Sequence, residues 1–146
     1  MNSPRESVYQ ALLVFFTNLT GITNTARKFV PWNKLQPEQM PFLMQIEKRE
    51  TAFSPGRGIP NKWTLEVELL VYLPSVADTD NQNIYQNINP LLDTIESALG
   101  DPGATAPQTL GGLVSQVHIQ GAVEKGQDAL GAVAWFLVPI KIVLPA

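Results

Sequence analysis

The chain has 146 residues, 45% hydrophobic and 16% charged, with a formal net charge of −3 and no cysteine. That length suits a single domain over residues 1–146, which buries roughly 70% of its extended-chain surface and folds without a covalent staple. The lack of cysteine excludes a disulfide framework and a thiolate metal site and suits a reducing cytosol, and the acidic balance argues against general affinity for nucleic acid, which draws on clustered Lys and Arg.

Residues 1–7 are polar and lack the apolar centre of a signal peptide. Ser3, Pro4 and Glu6 then have the spacing of a capping box with proline at the first helical position. Val8, Leu12, Phe15, Phe16 and Leu19 recur at helical intervals, so an amphipathic helix is predicted from about Pro4 to Leu19, ending at Thr20-Gly21. Residues 22–40 carry Arg27, Lys28, Phe29 and Trp32 between prolines; this is longer than an ordinary connection and reads as a docking segment. Phe42, Met44 and Ile46 alternate with Leu43, Gln45 and Glu47, and Trp63 to Val71 alternate more strongly. Two strands of one hairpin are expected, joined by a mobile basic loop from about Lys48 to Asn61.

Asp78 or Thr79 is a candidate cap for a second helix with the apolar stripe Ile84, Ile88, Leu91, Leu92, Ile95 and Leu99. Pro90 falls inside it, so the helix either starts at Asn89-Pro90 or begins near Asp80 and bends; the unbroken stripe favours the bend. Gly100 and Asp101-Pro102-Gly103 stop it. Leu113 to Gln120 reads as a third strand, Gly121 to Gly131 as a polar turn, and Ala132 to Leu144 as a long fourth strand. That last run is too short to cross a membrane as a helix and holds Lys141. Its Pro139 implies an edge position, a bulge or late loss of pairing. The expected fold is α+β: a two-layer sandwich of a four-stranded antiparallel sheet with helices on one face, in the order α-β-β-α-β-β.

Charge is sorted along this chain. Residues 1–62 hold eight Lys/Arg and four Asp/Glu, residues 63–146 two and nine; +4 and −7 give the net −3. Unlike faces on one subunit favour head-to-tail contacts between copies, which close into rings or run on as filaments.

Catalytic and metal chemistry find little purchase. His118 is the single histidine, flanked on its strand face by Gln116 and Gln120, and reads as a solvent-facing or interface residue. Glu66 and Glu68 have the spacing of paired carboxylates, yet that pattern also marks the wet face of a strand. Asp78, Asp80 and Asn83 resemble a calcium loop but lack its glycine and terminal glutamate. Gly56-Arg57-Gly58 and Leu110-Gly111-Gly112 do not open helices after strands, as phosphate loops do. No cofactor or catalytic residue is assigned. Lys48, Arg49, Arg57 and Lys62, beside Phe53 and Trp63, form either a solvated loop or a partner contact.

Several segments together resemble the tail-terminator, or minor tail, proteins of tailed bacteriophages. They are Arg27 to Trp32, Met40 to Leu43, Trp63 to Pro74, Leu91 to Leu99, Thr109 to Val114 running on to Gly121, and Ala134 to Pro139. The resemblance implies a structural virion protein, not an enzyme. It implies a hexameric ring that caps the head-proximal end of the tail tube, stops its polymerisation and meets head-completion or neck proteins, with the sheath as a neighbour in contractile tails. DNA would pass through an acidic lumen without specific binding. The protein would be found in the virion tail, and in the host cytoplasm during assembly, without membrane contact. Arg49, Arg57, Lys62 and Trp32 are the candidate subunit or tube contacts. The rival readings are another neck or tail-completion protein, and a small ligand-binding or enzymatic α+β domain with a pocket between the loops at Arg57 and Asp101.

Overall fold

A computed structural model describes residues 4–75, 83–100, 107–127 and 133–145. Pro4, with φ −58°, leads into helix α1 (Arg5–Thr17) and its carbonyl accepts the first helical bond from the Val8 amide at 3.2 Å. Ser3, expected to cap it, lies outside the described residues. The stripe Val8, Tyr9, Leu12 and Phe16 is buried, as amphipathic spacing demands. Next come a short strand β1 (Asn24–Ala26), 3₁₀ turns at Trp32–Lys34 and Pro37–Gln39, and the long strands β2 (Phe42–Phe53) and β3 (Lys62–Pro74). Helix α2 (Tyr85–Leu99) is followed by β4 (Gln116–Ile119), β5 (Glu124–Gln127) and β6 (Val133–Val143).

Asn83 and Gln86 start α2 by exchanging hydrogen bonds, the Gln86 amide donating to the Asn83 carbonyl at 3.2 Å. The Tyr85 amide donates to Asn83 Oδ1 at 3.0 Å and the Asn83 amide to Gln86 Oε1 at 2.9 Å. This local cap sets the start well after Asp80 and before Pro90, between the two expected positions; Pro90 sits inside the helix, in its second turn. Asp78, Thr79, Asp80 and Asp101-Pro102-Gly103 lie outside the described residues.

The expected four-stranded antiparallel sheet with order α-β-β-α-β-β is overturned. The sheet has six strands in spatial order β1-β2-β3-β6-β4, with β5 also paired to β6, and β1 runs parallel to β2. Both unanticipated strands are short and polar, so neither shows an apolar alternation; their pairing partners define them. Strand β6 is interior, running antiparallel to β3 on one side and to β4 and β5 on the other. Pro139 survives there because the outer strand breaks opposite it. The Gln120 amide donates to the Pro139 carbonyl at 3.1 Å, and Gly121 follows at φ 126°, where a Cβ would meet Pro139 Cγ at 3.0 Å. An N–H at Pro139 would point to the same side as that carbonyl, where no continuous ladder waits to receive it.

Both helices cover one face. Their buried stripes join Leu65, Val67, Leu69, Val71 and Leu73 of β3 with Ala134, Phe136, Val138, Ile140 and Ile142 of β6. A second apolar cluster lies on the opposite face, where Met40, Phe42, Met44, Tyr72 and Val133 are buried and Val30, Trp32, Leu35 and Trp135 pack on them. The segment expected to be an irregular docking element thus covers part of its own sheet.

Gly126 of β5 stands opposite Trp135, and a Cβ there would meet Trp135 Cζ2 at 2.7 Å and Cε2 at 2.9 Å. The indole lies against bare backbone, so Gly126→Val forces the ring or the strand to move. It is expected to lower stability by ~1–3 kcal/mol, read as a fall in melting temperature; an unchanged melt would show that the ring does not need this bare backbone.

Candidate functional site

The β2–β3 ladder runs from Phe42 opposite Tyr72 to Phe53 opposite Lys62. Its neighbours stop earlier. Strand β1 accompanies β2 only over Phe42–Met44, and β6 leaves β3 at the Thr64–Val143 pair, after which the Leu144 amide donates to the Trp63 carbonyl at 3.1 Å. Beyond that point the hairpin continues for two more pairs, Ala52–Trp63 and Phe53–Lys62, as a two-stranded arm with residues 53–61 as its tip. A ribbon without a second layer has nowhere to bury side chains. Phe53 is therefore 63% and Ile59 54% exposed, and the tip is shaped by a turn in which the Ile59 amide donates to the Gly56 carbonyl at 3.2 Å.

Arg57 and Lys62 are exposed on this arm with no ion pair among the described residues. Lys48 and Arg49 are not at the tip. They belong to β2, where the register shifts between Glu47 and Arg49, and they face the acidic side chains of β3: Lys48 Nζ is 3.0 Å from Glu68 and Arg49 Nε 2.5 Å from Glu66. Each carboxylate of the Glu66/Glu68 pair is thus countered by a cation, as cross-strand ion pairing favours. Register extends this row as Arg49, Glu66, Lys141 and His118 across four strands. A groove of about 320 Å³ crosses the same face, lined by Lys48, Glu66, Glu68, Glu124 and Lys141 among others.

His118 is 8% exposed, so of the two roles expected for it, solvent-facing or interface, the solvent-facing one is overturned. One ring nitrogen, Nε2, lies 3.0 Å from Gln120 Oε1, and Nδ1 has no hydrogen-bond partner among the described residues. Trp32, half-buried in its 3₁₀ turn, packs on the second apolar cluster instead of standing free. The four candidate contacts therefore separate: Arg57 and Lys62 on the arm, Arg49 on the open sheet face, and Trp32 near the far end of the strands. Asp101, the other wall of the pocket weighed as a rival, lies outside the described residues, as do Asp78 and Asp80.

The base of the arm is tied to α1. Arg5 pairs with Glu50 and its guanidinium lies 4.4 Å from the centre of the Trp63 ring, while the Tyr9 hydroxyl donates to Glu50 at 2.8 Å. Arg27 bridges Glu6 and Glu47, each at 2.6 Å, and stacks 5.7 Å from the Tyr9 ring. Hydrogen bonding from Arg27 holds the Glu6 carboxyl below its ordinary value, and the Glu6 and Glu47 carboxylates in turn raise Arg27. Burial first, then the bond to Glu50, pushes the Tyr9 phenol up. Below these pairs, fully buried Gln45 donates through Nε2 to the Tyr9 carbonyl at 3.0 Å, locking β2 to the middle of the helix.

A second feature, unannounced by any sequence signal, lies at the opposite end of β3. Thr20, Gly21, Pro41, Leu73, Pro90 and Leu91 line an open, mainly apolar groove of about 510 Å³. These residues come from four separate stretches of chain, so only the fold assembles them. Among the described residues, no helix is long and apolar enough to cross a membrane. No family model matches the chain, and no curated protein matches it.

The Arg27 bridge has a signed pH dependence. A carboxyl whose folded value is lowered stabilises the fold above its unfolded value, and that contribution is lost as pH falls through the folded one. Arg27→Gln is expected to cost about 0.5–1 kcal/mol at neutral pH, as for partly exposed pairs. The gap in melting temperature between wild type and variant should close as pH drops below the ordinary Glu value of 4.5. A gap that stays constant with pH would contradict the bridge.

Proposed function

We propose that this chain is a structural subunit of a phage virion. Copies join head to tail in a hexameric ring that caps the head-proximal end of the tail tube, halts tube growth and presents a surface to neck proteins, and to the sheath where the tail is contractile. DNA passes through the ring, and no catalytic step or cofactor is part of the role. The resemblance of the sequence segments supplies the particle. The observation that carries the assembly role is the arm: a hairpin that outruns its sheet and holds Phe53 and Ile59 in water beside Arg57 and Lys62. Such side chains cost solubility when left bare and reward burial between subunits.

Folding consumes part of the charge sorting and leaves part for contacts. Arg5, Arg27, Lys48 and Arg49 are paired to glutamates within the subunit. Among the described residues that form no ion pair, Lys28, Lys34, Arg57 and Lys62 stand against Glu38 in the first half, and Asp93, Glu96 and Glu124 against Lys125 and Lys141 in the second. The first half keeps an excess of cations and the second a smaller excess of anions, a bias of the kind a heterologous contact uses.

Electron micrographs of the purified protein, alone and mixed with uncapped tail tubes, test this reading. Rings with a central opening, bound at one end of each tube, are the expected outcome. Particles of monomer size that leave both tube ends bare would contradict it.

A further inference from the structure

Arm and groove lie at opposite ends of one strand. Strand β3 begins at Lys62 beside the tip and ends at Leu73 and Pro74 in the wall of the apolar groove. At about 3.3 Å per residue, these ends are ~40 Å apart. No subunit can place its own tip in its own groove. Resting on the assembly reading above, we propose that the contact between copies is an arm-in-groove joint: the tip of one subunit, led by Phe53 and Ile59, enters the groove of the next between α2 and the ends of β2 and β3.

Three observations converge on a second copy as the occupant. The tip offers two large apolar side chains more than half exposed, and the groove offers apolar walls from Pro41, Leu73, Pro90 and Leu91 within a volume typical of sites that take such groups. Prolines at 41, 74 and 90 stiffen the walls, so little ordering is needed on docking. Charge is complementary as well. Arg57 and Lys62 flank the tip, while Asp93, exposed on α2 next to the groove residue Thr94, carries no ion pair among the described residues. Because the tip and the groove are different surfaces, the joint is heterologous. A chain of such joints closes into a ring when the rotation per subunit divides a full turn.

The test uses the full chain in analytical ultracentrifugation, with circular dichroism and thermal melts confirming that each variant folds. Phe53→Asp with Ile59→Asp disables the arm, and Thr94→Lys disables the groove. Each variant alone is expected to lose at least tenfold in self-association. Mixed in equal amounts, they should form a one-to-one complex and nothing larger, since each such pair has one intact arm and one intact groove. Arg57→Glu and Asp93→Arg should each weaken association about fivefold at low salt, and the double variant in one chain should recover most of that loss, with the difference fading as salt rises. Wild type that assembles while both sets of variants assemble equally well would overturn the joint and leave the assembly reading standing. A mixture of arm and groove variants that stays monomeric would also overturn the joint. Wild type that is monomeric at every concentration up to hundreds of micromolar would overturn both.

Discussion

Strand β3 is paired by β2 from Lys62 to Tyr72 on one side and by β6 from Thr64 to Pro74 on the other, and that double pairing is the constraint on which the remaining architecture rests. Its odd-numbered residues from Leu65 to Leu73 are all buried beneath the helices. A slip of one residue would turn that whole set to the other face. On the second face its residues divide the molecule lengthwise. Tyr72 and Leu70 meet the apolar cover that contains Trp32, whereas Glu68 and Glu66 meet Lys48 and Arg49. Apolar at one end, ionic in the middle and bare at the arm, the strand sets out the functional surfaces in sequence order.

The arm is held out from the body by specific contacts. Arg5, Tyr9, Glu50 and Trp63 form one connected group, and Glu6, Arg27 and Glu47 another that touches it through the Tyr9 ring. Partly exposed ion pairs contribute little stability individually. Here their consequence is geometric, because they couple the direction of the arm to the axis of α1. The register shift at Glu47 and Arg49 lies at this base. Such an irregularity strengthens the local twist and discourages strand addition along the open edge of β2. An arm with a defined angle and a guarded edge suits joining by its tip.

The sequence was informative wherever periodicity ran long. The stripes of α1 and α2 and the alternation of Trp63 to Val71 place both helices and the main hairpin, because a buried face imposes its period on the chain. It was silent where pairing alone makes a strand. Asn24–Ala26 and Glu124–Gln127 are polar edge pieces with nothing to bury, and Pro139 pointed away from the interior position that β6 occupies. Lys48 and Arg49 were read as loop residues because the alternation fades after Glu47, just where the register shifts. Of the candidate contacts, Arg57 and Lys62 could be located from the turn signals around them. The groove could not be found, since Gly21, Pro41, Leu73 and Leu91 are neighbours only after folding.

The absence of cysteine from the chain makes one direct measurement available. With Ile59→Cys in the tip and Thr94→Cys in the groove wall of the same chain, mild oxidation followed by denaturing electrophoresis reports whether the two sites meet between copies. Head-to-tail joining predicts a ladder of covalent multimers from the double variant and none beyond a dimer from either single variant. A double variant that yields no species larger than the single variants do would contradict head-to-tail joining through the arm.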